Sequence, residues 1–510
     1  MESQLNLVRS VSWNYAGYLF EFGSGLLLLA YVVRRVTVHD YGIYLLAQSL
    51  AAFLYLLELG MGSVLVPLYV STYAQKGIAE VGKLASSLAI MLLGLGAAGA
   101  FVLSLLALLV PRLLHLPTKQ TSLAVHVLIT MSVAVSLTLP QMPLEQLCKA
   151  FHGFDRVNQV QIAAVVLRVV LTVTVLASGK GIVALAVVQV AVSLLRLAGL
   201  WLVTPAAVAG LSLTPRFHRS LLPDVLRMSR WAFGDDISRR IGMNAEQVIL
   251  GALGSFEQVA IFGVGSRLPA HMYQFAARGL TVLLPTFSQH HADRDTVQLR
   301  ATFSNALRIC ATCLLPLSTF AVICARALMS IWAGQAYIKA APVLSWLLFS
   351  ALAIILTLPS DIILYSHNRV RQAARFSILE TLGKILIALA LAARFGAVGV
   401  AAGVAIWHWC VNLFFYLPAA CRVAEMHPSE IWRNTAIASS RAKSDRTANL
   451  VLFIAYVAGI ASLAVGMRIL PASAVFAAFI FVCLLYAAVW VNFVALPMWR
   501  QARIKASAIP

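Results

Sequence analysis

Apolar runs of about 20 residues recur along almost the whole chain, separated by short breaks rich in charge, proline or glycine. Each run is long enough to cross a hydrocarbon core about 30 Å thick. They predict spans near residues 10–33, 42–71, 84–110, 121–147, 158–178, 182–204, 231–254 and 258–288. Six more are predicted near 301–333, 341–366, 373–393, 397–420, 449–468 and 472–497. In lipid a backbone N–H must find its partner inside its own segment, which favours helices, and the period-two alternation of a β-barrel does not occur. The pattern predicts an all-α polytopic membrane protein with about 14 transmembrane helices.

Composition agrees. Of 510 residues, 61% are hydrophobic and 11% charged, with a mean hydropathy of +0.86. A soluble protein of this size could not hide so much apolar surface. The opening MESQLNLVRS leads into an apolar segment without a small-residue cleavage signature, so no removable signal peptide is expected. All connections are short, and none is long enough for a soluble domain.

A formal net charge of +20 would suit a nucleic-acid binder, but its distribution argues otherwise. With a cytoplasmic N-terminus, the even-numbered loops and both tails carry twenty-two Lys and Arg, and the odd-numbered loops carry eight. The positive-inside rule then places both termini in the cytoplasm. No nucleic-acid partner is expected; the basic excess records topology and contact with anionic membrane lipids. The seven cysteines lie in or beside apolar segments, so no disulfide framework is expected. Cys310 and Cys313 form a CxxC inside a membrane helix, where packing explains them better than metal or redox chemistry.

The chain also resembles itself at an offset of 218 residues. Trp13 meets Trp231, Ile43 and Tyr44 meet Ile261 and Phe262, and Pro67 meets Pro285. The offset spans six helices, an even number, so the two copies share one orientation. That pattern predicts two six-helix lobes related by a pseudo-two-fold axis along the membrane normal, with a site between them. The domains expected are an N-lobe at 1–205, a C-lobe at 206–420, and a cytoplasmic loop with two C-terminal helices at 421–510.

The stretch HDYGIYLLAQSLAAFLYLLELGMGSVLVPLYVSTYA (39–74) resembles the first-loop and second-helix signature of bacterial polysaccharide flippases, through Gly42, Tyr44, Glu58, Gly60 and Gly62. KAFHGFDRVNQVQ (149–161) is similar to that family's basic connector. These Wzx-like transporters belong to the multidrug/oligosaccharidyl-lipid/polysaccharide (MOP) superfamily and are related to lipid II flippases. The resemblance implies a multi-pass protein of the bacterial inner membrane. It implies alternating-access transfer of undecaprenyl-diphosphate-linked oligosaccharide from the cytoplasmic to the periplasmic leaflet, within polysaccharide biosynthesis. It further implies a monomer that meets polysaccharide polymerase or assembly proteins. The second copy departs from the signature, with Ala260 for Gly42 and Arg278 for Gly60.

Four polar residues of the eighth span, Arg267, His271, Gln274 and Arg278, fall within about 60° on a helical wheel. Asp235, Arg239, Gly242 and Glu246 repeat that spacing on the seventh span. The first span offers Asn14 and Glu21, the second Tyr44, Gln48 and Glu58. A charge at the bilayer centre costs about 2.5–3.5 kcal/mol unless it meets protein or water. One reading lines a water-filled substrate cavity with these stripes; the other pairs Arg239 with Asp235 and lets Arg267 and Arg278 reach towards an interface. On the cavity reading the arginines offer phosphate a fork of donors that stays charged. Glu380 with Lys384, one turn apart, read as a structural pair, and His408 with Asn412 as packed polar residues.

No catalytic residue, metal site or cofactor is expected. There is no phosphate-binding loop, so energy would come from the membrane potential or from a proton or sodium gradient, with His271 as the proton candidate. Three alternatives stay open: a lipid II flippase, a cation-coupled multidrug exporter of the same superfamily, and a membrane glycosyltransferase or polymerase. The last is disfavoured because every outward loop is short.

Overall fold

A computed structural model describes residues 20–108, 118–208, 210–218, 222–280, 283–427, 430 and 443–495. Trp13 and Asn14 lie outside them. Among the described residues there is no strand. Ten helices among the described residues are long and apolar enough to cross a membrane. One, spanning Val370–Val423, turns back on itself at Gly396 (φ 58°) and so crosses twice.

The first unit comprises residues 1–260. It contains α1 (20–35) and α2 (Val38–Ala52), then two 3-10 turns (Phe53–Glu58, Met61–Ser63) and α3 (Leu65–Lys76). There follow α4 (Ile78–Ala107), α5 (Thr118–Ser136), α6 (Gln141–Ala150), α7 (Phe154–Ala177), α8 (Ile182–Ala207) and α9 (Leu222–Leu253). Its largest core cluster joins Met61, Leu65, Tyr69, Leu88, Leu92, Leu139 and Leu147, all fully buried. Gly42 permits the closest approach in this unit: a Cβ there would lie 1.8 Å from the Phe256 carbonyl oxygen. That contact explains the glycine of the 39–74 stretch.

Helix α10 (Phe256–Gly265) leads into the second unit, 261–510. This unit holds α11 (Arg267–Leu280), α12 (Leu283–Ala292), α13 (Thr296–Ile323), α14 (Ala325–Trp332), α15 (Ala341–Ser366) and α16 (Val370–Val411). It ends with α17 (Leu417–Val423), α18 (Lys443–Ile469) and α19 (Ala472–Trp490). The two C-terminal helices pack on α13 and α14 through Phe320, Leu463, Val475 and Tyr486. Tyr486 also donates its hydroxyl to the Thr312 carbonyl at 2.7 Å. Leu27, Leu202, Phe414 and Ile469 are mostly exposed, as side chains bathed in acyl tails should be.

Three stretches are not among those ten yet complete a fourteen-crossing fold: α9, which is long but too polar, and the described part of α1 and the run α10 through α12, whose helices are short. They are the segments predicted to carry the polar stripes of the first, seventh and eighth spans. The internal repeat survives in the elements themselves. Helices α10, α12 and α13 each begin 218 residues after α2, α3 and α4, at Phe256, Leu283 and Thr296 against Val38, Leu65 and Ile78. All seven cysteines are free, and Cys310 and Cys313 pack among apolar neighbours.

Candidate functional site

The second predicted span is not one helix. After Phe53–Glu58 the chain turns through Leu59 (φ 53°) and Gly60 (φ 71°), both left-handed, before α3 resumes. Glycine adopts that conformation freely, but at Leu59 it costs about 1–3 kcal/mol and persists only where the surroundings enforce it. Leu57 and Leu59 pack against the core cluster on either side of Glu58. A break at membrane depth is tolerated where its backbone meets protein or water.

Glu58 sits at this break, 8% exposed. Arg240 of α9 donates Nη2 to its Oε2 at 2.5 Å and Nε to Asp236 Oδ2 at 2.7 Å. The guanidinium also lies 5.5 Å from the centre of the Tyr55 ring. Further along the same pair of helices, Ser49 donates to Gln247 Oε1 at 2.5 Å. A second set of charges joins α6 to α8: Glu145 receives Lys149 at 2.7 Å and Arg196 at 2.8 Å. Tyr55 hydrogen-bonds Thr138 and lies within electrostatic range of both Arg196 and Arg240. The two sets thus form one polar seam in the first unit. Three carboxylates (Glu58, Glu145, Asp236) meet three cations (Lys149, Arg196, Arg240), so the seam is charge-balanced as it stands.

The second unit carries its charge differently. Helix α11 packs through Met272, Tyr273, Ala276 and Leu280 against Cys310, Leu314, Ala351 and Ile355 of α13 and α15. The stripe Arg267, His271, Gln274, Arg278 lies about 180° around the helix from that face. Arg267 and His271 are accordingly half-buried, and Gln274 and Arg278 exposed. Deeper in this unit, His408 places Nε2 3.1 Å from Glu380 Oε1 and Nδ1 2.5 Å from Ser350 Oγ. Beside it Asn412 donates to the His408 carbonyl at 2.8 Å and accepts from the Thr357 hydroxyl. A π-helical turn, Asn412–Tyr416, follows at once.

Of the other sequence candidates, Asn14 and the side chain of Asp235 lie outside the described residues. Glu21 and Gln48 are half-buried. Tyr44 is buried and accepts from Gln189 at 3.3 Å. Arg239 is exposed and Glu246 buried, on a face of α9 about 100° from the one that meets Glu58. The ion-paired register, Asp236–Arg240–Gln247, has the spacing of Asp235–Arg239–Glu246 displaced by one residue. Sequence reasoning missed Arg240 and Glu145, and left Asp236 and Arg196 without partners. The i,i+4 spacings Asp236–Arg240 and Glu145–Lys149 were the available signal.

Among solved structures, the chain resembles the lipid II flippase MurJ in an inward closed conformation (TM-score 0.68, 12% identity, 95% of this chain and 99% of that one). It also resembles an inward-facing multidrug resistance MATE transporter of the MOP superfamily (TM-score 0.64, 15% identity, 82% and 95%). A third likeness is a MOP superfamily transporter from Pyrococcus furiosus (TM-score 0.52, 15% identity, 82% and 93%). At these identities the likeness is one of fold. No curated protein matches in sequence. A family model described as polysaccharide biosynthesis protein matches residues 31–342, more than half of the 510 residues, and the chain therefore belongs to that family.

Proposed function

We propose that this protein is a flippase for oligosaccharide linked to undecaprenyl diphosphate, moving it from the cytoplasmic to the periplasmic leaflet of a bacterial inner membrane by alternating access. Residues 1–205 and 206–420 act as its two lobes, 421–510 adds the two appended helices, and both termini are cytoplasmic. Family membership supports a place in polysaccharide biosynthesis, and the fold shared with a lipid II flippase supports a lipid-linked cargo. The observation that carries the anionic headgroup is the α11 stripe, whose Arg267 and Arg278 lie opposite the helix's packed face. A guanidinium stays charged in a partly dry site and matches phosphate oxygens with paired donors. A cationic drug would favour carboxylates there, which disfavours the multidrug reading. A diphosphate leaving a negative interior gains about 2.3 kcal/mol per charge per 100 mV, so the membrane potential can drive the outward step.

The test is a leaflet-sidedness assay of lipid-linked oligosaccharide in proteoliposomes. Arg267→Ala with Arg278→Ala is expected to slow transfer at least tenfold. Full-rate transfer by the double variant would remove the anion role, and no transfer by the unaltered protein would remove the flippase reading.

A further inference from the structure

The buried centre of the second unit has no part in the reading above. Its members come from three stretches of helix: Ser350 midway along α15, Glu380 on the first arm of α16, and His408 on the second. The arms run antiparallel from the reversal at Gly396. At Gly383 they touch so closely that a Cβ would fall 2.1 Å from the Trp407 ring. Trp407 donates its indole N–H to the Glu380 carbonyl at 3.0 Å. Close packing at the glycine therefore holds Glu380 opposite His408.

The imidazole is 6% exposed and the serine 4%, with a carboxylate at one ring nitrogen and a hydroxyl at the other. A neutral ring donates Nε2–H to Glu380 and accepts the Ser350 hydroxyl proton at Nδ1. When a proton is added at Nδ1, that nitrogen becomes a donor. The hydroxyl, which can both donate and accept, then turns to accept. In both forms each ring nitrogen keeps its partner, Glu380 at Nε2 and Ser350 at Nδ1. A ring held only in its neutral form would be served by a fixed donor at Nδ1, whereas a hydroxyl can meet either form.

We propose that His408 is a proton-binding site, loaded and unloaded at Nδ1, with Glu380 stabilising the imidazolium and Ser350 as the reversible partner. Imidazole is suited to the task because its proton exchanges near neutral pH. Among charged groups on the surrounding helices, Glu380 faces the ring directly, and Lys384 lies one turn along the same arm. Asp361 belongs to α15, Arg308 to α13, and Arg267, His271 and Arg278 to α11. The site shifts the proton role from His271, on the α11 stripe, to a histidine held on both sides.

The experiment uses the full chain in lipid nanodiscs, labelled with nitrogen-15 at histidine, with the imidazole nitrogens followed by NMR from pH 4.5 to 8.5. The His408 signal is identified by its loss in His408→Gln or, if that variant does not fold, by its displacement in Ser350→Thr. The expected result is conversion from neutral to protonated ring within the window. Glu380→Gln should lower proton affinity about tenfold or more, while Ser350→Thr, which keeps the hydroxyl, still titrates. A His408 that holds one protonation state throughout, or an affinity unmoved by Glu380→Gln, overturns the proposal. Because no lipid-linked substrate enters the measurement, its outcome is separate from that of the transfer assay.

Discussion

The two units bury polar groups on opposite plans. In the first, fixed charges cancel in place: Arg240 lies between Glu58 and Asp236, and Glu145 between Lys149 and Arg196. In the second, the buried centre is an imidazole held by one carboxylate and one hydroxyl, and the unit's basic stripe stays on the side of α11 away from its packing. A balanced seam holds its shape because every charge restrains another. An imidazole between two adaptable partners can change state. The first unit is thus suited to holding a broken helix, and the second to exchanging charge.

The most severe way to break this comparison is Arg240→Ala, which strands Glu58 at 8% exposure beside the left-handed turn. Removing one partner of a buried ion pair costs about 3–5 kcal/mol. The expected loss is a large drop in thermal unfolding temperature in detergent, of which Glu58→Gln with Arg240→Gln recovers more than half. Equal instability of the single and double variants would show that the guanidinium matters for packing rather than charge. Ser350→Ala comes next. It leaves Nδ1 of His408 without its hydroxyl, for about 1–3 kcal/mol, and Ser350→Thr should restore most of that by the same measurement.

The smallest expected effect sharpens the contrast from outside the membrane spans. His367, between α15 and α16, meets His291 at 4.1 Å between ring centres, the two rings tilted by 49°. Burial holds its imidazole below the usual range, with His291 and Arg369 pushing the same way and a hydrogen bond to the Ile363 carbonyl opposing them. The unfolded chain therefore takes up this proton first as pH falls through about 6.5. The contribution of His367 to stability is present above that value and lost on acidification. His367→Gln should flatten the acid-side decline in unfolding temperature; an unchanged profile would assign the decline to other groups.

Much of the architecture was legible along the chain. Run lengths mark fourteen crossings, and the 218-residue offset sets where α10, α12 and α13 begin. The Glu58–Gly62 stretch marks the point where the second helix breaks, although as an apolar run it reads as one span from 42 to 71. The candidate site was half legible. The α11 stripe stands out because its packed face is apolar, whereas on α9 the registers beginning at Asp235 and Asp236 are equally periodic. Glu58 finds its partner 182 residues away, and no spacing rule reaches that far.

Length and hydropathy alone determined that this chain must be a bundle of membrane helices, because lipid leaves a backbone no other way to satisfy itself across so many apolar runs. The 218-residue offset matched where three helices of the second half begin. Tertiary structure decided which polar face turns to which neighbour: that Arg240 rather than Arg239 meets Glu58, and that His408 sits between Glu380 and Ser350. Helical periodicity groups side chains on a face, but only packing against another helix chooses the face, since burying a charge or an imidazole is tolerable solely where a partner is already in place.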